Sequence, residues 1–506
     1  MKFIKWVFSR AVIASILILL QLFLFFYLLI TADKIGAYIY LAIDVLSVLI
    51  TLYLINKSYE PTQKLSWLLF IIIFPVVGVP VYLLFSSNHI SNKYKRIYVV
   101  DEPNERDELE YKRLISDLEE KDLNIASQFR YIHDNAHLPV KDGTKAEYLP
   151  TGELYFDKLL QELKKAKKYI FMQYYIVEEG KMWNSILTIL RKKVEEGVDV
   201  RLIYDDLGCI KTLPYTYDRR LRKLGIKCYK FNKFIPVLSA THNNRDHRKI
   251  TIIDGNVGFM GGINLADEYI NEVEKYGRWK DSGIMLQGKA VDNLLAIFMP
   301  TYNVVAKKHD DIEEYKCSEY VESNGCVQVY GTGPIPAYND NVAADVYLNL
   351  IYSATKFLYI TTPYLITDYN MMHALELAAK RGVDVRIVTP HVPDKKFIFM
   401  MTRQSYEQLL KAGVKIYEYT PGFIHAKQMI CDDMKAIIGT INLDYRSLIH
   451  NFECAAYLYN DETILTMKEE YKDLLDDCEE IDLKNCKVKW YVSLLRKTLS
   501  FFSPVL

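Results

Sequence analysis

Apolar residues dominate the first 90 positions and then give way to short apolar runs that alternate with amphipathic stretches. Residues 11–30 are apolar except for Ser15 and Gln21, and at 1.5 Å per residue they predict a helix about 30 Å long, enough to cross hydrocarbon. Lys2, Lys5 and Arg10 precede it as they would a secretory leader, but the run is too long for one and a second apolar segment follows at once. Residues 36–55 predict a second span, interrupted by Asp44, Ser47 and Thr51, with Asp44 facing a partner helix or the membrane edge. Residues 65–85 contain Pro75, Gly78 and Pro80, which predicts a kinked third span or a re-entrant or interfacial hairpin. The cationic N-terminus and the loop 57–64 read as cytoplasmic. We read 65–85 as non-spanning, which leaves the rest of the chain on the cytoplasmic side of a multi-pass cell-membrane protein.

Residues 92–124 are highly charged, with Leu109, Leu114, Leu118 and Leu123 at roughly helical spacing, and predict a solvated connecting helix. The tail 487–506 mixes Lys, Arg, Trp and Phe, as either an interfacial or a packing helix would.

Between these ends the chain repeats itself. Lys168-Tyr-Ile-Phe-Met matches Lys356-Phe-Leu-Tyr-Ile, Gly197-Val-Asp-Val-Arg recurs as Gly382-Val-Asp-Val-Arg, and Gly225-Ile-Lys-Cys-Tyr matches Gly413-Val-Lys-Ile-Tyr. Helical stripes lie between the strand-like runs: Ile186, Leu187, Leu190 and Val194 in one half, and Met372, Leu375 and Leu377 in the other. Strand, helix, strand in each half implies an α/β unit with a largely parallel sheet.

The chemistry repeats as well. His247, Lys249, Asp254, Gly261 and Asn264 recur as His425, Lys427, Asp432, Gly439 and Asn442, always 178 positions apart, from 247 to 425 and from 264 to 442. Each motif reads as a strand in which His and Lys, two residues apart, share a face. The Asp lies seven residues after the His, where Asp254-Gly255 has tight-turn chemistry, so Asp254 and Asp432 read as orienting or turn-stabilising groups. Two lysines and two asparagine amides suit the equatorial oxygens of a phosphodiester. Two imidazoles can divide the remaining work, one attacking phosphorus while neutral and the other donating a proton to the leaving alkoxide. Asp281 and Glu453, downstream of the two asparagines, are candidates for orienting the histidines, with surface ion pairing as the bland alternative. Metal ligation by the histidines is opposed by the adjacent lysines, so neither a metal nor a cofactor is expected.

Composition adds two exclusions. Lys+Arg and Asp+Glu are 63 each, so no global positive field gathers a nucleic acid. The eight cysteines form no CxxC pair, which favours reduced thiols in a cytoplasmic setting.

The doubled His-Lys-Asp-Asn pattern resembles the signature of the phospholipase D superfamily. The strings HRKITIIDGNVGFMGGINLADEY and FIHAKQMICDDMKAIIGTINLDYRSLIHNFE are similar to bacterial cardiolipin synthases, as are the N-terminal spans and the closing Phe501-Phe-Ser-Pro-Val-Leu. The resemblance implies an α/β fold of two fused phospholipase D-type repeats, mixed sheets flanked by helices, behind an N-terminal transmembrane helical region. The chain is thus expected to divide into a membrane anchor (1–90), a charged helical linker (91–142), repeat 1 (143–310), repeat 2 (325–485) and an interfacial tail (486–506). The catalytic set it implies is His247, Lys249, Asp254, His425, Lys427 and Asp432, with Asn264 and Asn442 binding phosphate and His247 as nucleophile. Gly262 stands where many superfamily members carry Ser, whereas Thr440 keeps a hydroxyl in the second copy. The implied reaction moves a phosphatidyl group from one phosphatidylglycerol to another through a phosphohistidine, giving cardiolipin and glycerol. The alternatives are a phospholipase D or other phosphatidyltransferase, a membrane-bound nuclease, and an inactive membrane scaffold.

Overall fold

The computed structural model describes residues 33–56, 61–85, 105–235, 243–319, 321–334, 340–486 and 488–502, with single positions 19, 23 and 27. Apart from those three positions, the expected span 11–30 lies outside the described residues, as do 92–104 and the closing 503–506.

Asp33–Asn56 is one helix of 24 residues, about 36 Å long at 1.5 Å per residue. Its stretch Tyr38–Asn56 is, among the described residues, the one helix long and apolar enough to cross a bilayer. The helices Pro61–Ile73 and Pro75–Phe85 do not run on as one kinked rod. Trp67 and Tyr82 meet edge to face with ring centroids 5.3 Å apart, and a Cβ on Gly78 would lie 2.7 Å from the Phe70 carbonyl oxygen. The chain therefore folds back at Phe74. Pro75 brings no amide hydrogen to continue the first helix, and Gly78 lets the two backbones touch. The arms of 13 and 11 residues reach about 20 and 16 Å, each less than the roughly 30 Å of hydrocarbon.

The charged segment is not a solvated connector. Helices Glu105–Lys121 and Leu123–Ala136 bury Tyr111, Ile115, Leu118, Ile125, Phe129 and Ile132 in the main core, where Phe129 packs edge to face on Tyr457. Leu109 and Leu123, expected on the apolar stripe, are exposed. Leu118 stays on the stripe, which Tyr111, Ile115, Ile125, Phe129 and Ile132 complete.

The first repeat contributes β1 (Thr144–Leu149), β2 (Tyr169–Tyr174), β3 (Asp199–Asp205), β4 (Lys227–Phe231), β5 (Ile250–Ile253), β6 (Val257–Gly261), β7 (Arg278–Lys280) and β8 (Gly283–Gly288). Seven of them form a sheet in the order β1-β8-β6-β5-β2-β3-β4, and β7 leaves it. The second repeat contributes β9 (Cys326–Thr332), β10 (Phe357–Thr361), β11 (Leu365–Ile366), β12 (Asp384–Pro390), β13 (Lys415–Tyr419), β14 (Gly422–Ile424), β15 (Gln428–Cys431), β16 (Lys435–Gly439), β17 (Leu443–Asp444), β18 (Glu453–Tyr459) and β19 (Cys478–Ile481). Its sheet runs β19-β13-β12-β10-β15-β16-β18-β9.

Within each sheet only β2, β3 and β4, or β10, β12 and β13, run parallel to one another. A largely parallel sheet was the expectation; the sheets are mixed because each His-Lys motif enters a tight hairpin, β5–β6 or β15–β16, and a hairpin is antiparallel by construction. The two sheets share one core. Phe171, Ile250, Ile252 and Ile284 of the first are continuous with Val329, Ile360, Met429 and Ile438 of the second. Gln173 faces Ile250 across β2–β5 and Thr361 faces Gln428 across β10–β15, so both motifs begin at the carboxyl ends of parallel strands, where open α/β sheets place ligands.

Candidate active site

Each histidine sits in extended chain just ahead of its strand, and that chain pairs with the other half. Asp246 bridges Phe452 in parallel, with the His247 amide donating to the Phe452 carbonyl at 2.9 Å and the Phe452 amide to Arg245 at 2.8 Å. In the second copy β14 pairs in parallel with β7, and the His425 amide donates to the Lys280 carbonyl at 2.6 Å. Two neighbouring parallel segments present their next residues side by side. Those residues are His247 with Glu453, and His425 with Asp281.

The histidine–carboxylate pairs are therefore crossed between the repeats. His247 Nδ1 lies 2.9 Å from Glu453 Oε2, and His425 Nδ1 lies 2.6 Å from Asp281 Oδ2. An ionised carboxylate only accepts, so each Nδ1 donates and each Nε2 is left for the pocket, as a lone pair in the neutral ring or as an acid in the imidazolium. Both carboxylates are fully buried and both imidazoles nearly so. Lys249 and Lys427, also buried, each donate back to the carbonyl of the histidine two residues earlier.

Two buried ammonium groups beside two imidazoles make a costly arrangement in the absence of an anion. Burial pushes Lys249 down to about 8 and Lys427 to about 7 despite the carboxylates nearby. Burial also lowers both histidines, with Glu453 opposing the shift at His247 and Lys427, Lys249 and His247 adding to it at His425. The carboxylates diverge. Burial raises Asp281 to about 6 against the pull of Lys427, whereas at Glu453 it is outweighed by His247, Lys249 and the Thr440 hydroxyl, which leave the group below its ordinary value.

That difference has a visible source. Thr440 Oγ1 donates to Glu453 Oε2 at 2.5 Å and Asn451 Nδ2 to Glu453 Oε1 at 3.2 Å. The corresponding position in the first repeat is Gly262, where a Cβ would stand 2.1 Å from Asp281 Oδ1. Asp281 receives the Ser282 amide at 2.8 Å but no hydroxyl from residue 262. The aromatic surroundings differ too. Tyr175 stands edge-on to His247 at 5.0 Å, while Trp279, Tyr269 and Phe423 surround His425 at 5.4, 5.7 and 5.8 Å.

The other expected residues fall in two groups. Asn264 and Asn442 are buried. The Asn264 amide is engaged at both ends, accepting from the Ile176 amide at 2.9 Å and donating to the Tyr269 hydroxyl at 2.6 Å. Asn442 Nδ2 donates to Ser447 at 3.0 Å, and its Oδ1 is buried without a partner. Asp254 and Asp432 lie at the far ends of their strands, about 20 Å along an extended chain from the histidines. Asp254 accepts from the amides of Lys167, Lys168 and Tyr169 at 2.7–2.8 Å. Asp432 accepts from those of Thr355, Lys356 and Phe357 at 2.7–2.9 Å. Both have positive φ, at 53° and 54°, a turn conformation that a short carboxylate side chain tolerates.

Sequence reasoning identified the four groups of the crossed pairs but not the crossing. It also missed the aromatic walls, although Tyr175 directly follows β2 and carries that signal.

Comparisons with known proteins fit this geometry. The family described as "Cardiolipin synthase, PLD-like domain" matches residues 159–285 and 347–475, and "Phospholipase D-nuclease N-terminal" matches 36–86. A cardiolipin synthase of Halalkalibacterium halodurans is 34% identical over 93% of this chain and 94% of the relative. Cardiolipin synthase 2 of Bacillus anthracis is 37% identical over 89% of this chain and 88% of its own. Among solved structures, the phosphatidylserine synthase of Haemophilus influenzae shares the fold, with a TM-score of 0.57 at 15% identity, covering 75% of this chain and all of that one.

Proposed function

The chain belongs to the phospholipase D-like cardiolipin synthase family and is a phosphatidyltransferase, and we propose that it makes cardiolipin from two molecules of phosphatidylglycerol through a phosphohistidine. The crossed histidine–carboxylate pairs carry this reading, because they give one pocket two imidazoles with free Nε2 atoms and two buried lysines. His247 Nε2 attacks phosphorus, the bond to the glycerol oxygen breaks, and His425 donates the proton that oxygen needs. Glycerol leaves. A hydroxyl of the second phosphatidylglycerol then gives its proton back to His425 and attacks phosphorus, which frees His247 and completes cardiolipin. Microscopic reversibility makes His425 acid in the first step and base in the second.

Lys249 and Lys427 receive the charge of the phosphoryl oxygens, and the substrate anion in turn offsets the cost of burying them. Asn442, with a free buried oxygen, serves on the pocket wall, and Asn264 acts there through Tyr269. His247 is the nucleophile in this reading because its carboxylate partner is held ionised, stabilising the positive charge that imidazole acquires on attack.

For topology, we infer that Pro61–Phe85 is a re-entrant hairpin and that the catalytic repeats lie on the cytoplasmic side. The short, reversed arms and the Trp67–Tyr82 contact support this.

Purified protein given labelled phosphatidylglycerol in the presence of chelator tests the function. Cardiolipin and glycerol are expected. Phosphatidic acid as the main product would make the protein a phospholipase, and no turnover would make it a scaffold.

A further inference from the structure

The helix Trp490–Phe502 carries apolar residues on both sides. Its half-buried positions include Val492, Ser493, Arg496, Leu499 and Ser500, whereas Trp490, Tyr491, Leu494 and Leu495 face outward. Trp490 is 77% exposed and Leu494 58%. Positions 490, 491, 494 and 495 form one helical face. A soluble surface would turn that face inward and the arginine out.

The same helix touches both ends of the molecule. Ser66 of the hairpin donates to the Phe501 carbonyl at 2.5 Å, and the hairpin's own outward residues Leu65, Ile72 and Leu83 are exposed. On the catalytic side, Leu499 packs with Ile366, Met401 and Tyr445. Tyr445 lies three residues beyond Asn442 in the chain.

Charge indicates what covers the outward face. Between residues 488 and 502 the charged residues are Lys489, Arg496 and Lys497, with no acid. An apolar face flanked by cations fits the headgroup region of an anionic bilayer.

We propose that Trp490–Phe502 is an interfacial helix that sets Trp490, Tyr491, Leu494 and Leu495 into an anionic phospholipid surface, a bilayer contact additional to the anchor. Through Leu499 and Tyr445 it holds the active-site wall at that surface, where a lipid phosphodiester is presented. The inference rests on the membrane-embedded reading above but not on the identity of the reaction.

Full-length protein in vesicles tests it, with Cys317, Cys478 and Cys486, the half-buried thiols, changed to Ser. A nitroxide is placed on Leu494→Cys or, should that variant fail to fold, on Trp490→Cys. In phosphatidylglycerol vesicles the label should collide with dissolved oxygen far more than with a water-soluble nickel chelate, and it should sit shallower in pure phosphatidylcholine. A label equally open to nickel in both lipids overturns the proposal, as does equal depth in the two lipids. Dipolar broadening between labels, the mark of a second chain on this face, also overturns it. If cardiolipin is still made while the label stays in water, this inference fails and the proposed function stands.

Discussion

His247 of the first repeat is held by Glu453 of the second, Nδ1 to Oε2 at 2.9 Å, and His425 of the second by Asp281 of the first at 2.6 Å. Neither repeat therefore contains a complete histidine–carboxylate pair. In the proposed mechanism the duplicated chain is one catalytic unit, not two copies of a site.

Glu453→Gln should lower kcat by about 10²- to 10⁴-fold with little change in KM, because an amide in that place no longer fixes the tautomer or stabilises the imidazolium. Steady-state kinetics on mixed micelles check this. A loss below threefold would remove Glu453 from the role.

Thr440→Val removes a donor from a buried carboxylate and should cost on the order of 10- to 100-fold in kcat. Gly262→Ala should be as damaging as Asp281→Asn, because the added Cβ meets Asp281 Oδ1 at 2.1 Å. Near-normal kinetics in Gly262→Ala would show that Asp281 can move without consequence.

Acidity follows from the same burial. Asp281 at about 6 loses the charge that orients His425 below that pH, and Lys427 at about 7 and Lys249 at about 8 lose theirs above it. The profile of kcat/KM, which follows the free enzyme, should have an acid limb near 6 and an alkaline limb between about 7 and 8. Stability carries its own signs. Lys427 is depressed in the fold, so the unfolded chain binds more protons between about 7 and 10, and stability rises with pH across that window. Asp281 is raised, so its contribution is fully present below about 4 and is lost as pH rises through 6. Thermal unfolding should show the alkaline rise in wild type and a smaller one in Lys427→Met.

The sequence carried the repeat, the two motifs and the two carboxylates that pair with the histidines, because those depend on spacing along the chain. Asp254 and Asp432 were readable as turn residues from their position seven after the histidine, and their carboxylates do cap the amides that lead into β2 and β10. The crossing was not readable. It arises from the parallel pairing of β7 with β14 and of Asp246 with Phe452, contacts between segments about 145 and 206 residues apart that leave no local pattern. The charged linker misled for a related reason: of the leucines expected on its stripe only Leu118 is buried, and Tyr111 and Ile115 complete the stripe that enters the core.

Asp254→Asn should consequently behave unlike the histidine variants. Weakening its bonds to three backbone amides should lower stability by about 1–3 kcal/mol while turnover per folded molecule stays within a few-fold of wild type. Unfolding and activity measured on one preparation separate the two effects.

In the proposed mechanism one histidine becomes covalently phosphatidylated while the other moves protons. His425→Ala, given a phosphatidyl substrate whose leaving group is nitrophenol, needs no acid for the first step and lacks the base for the second. A burst of nitrophenol equal to the enzyme present is expected, with the phosphatidyl group recovered by mass spectrometry on the peptide containing His247. Steady product release without an adduct, or an adduct on any other residue, would contradict that mechanism.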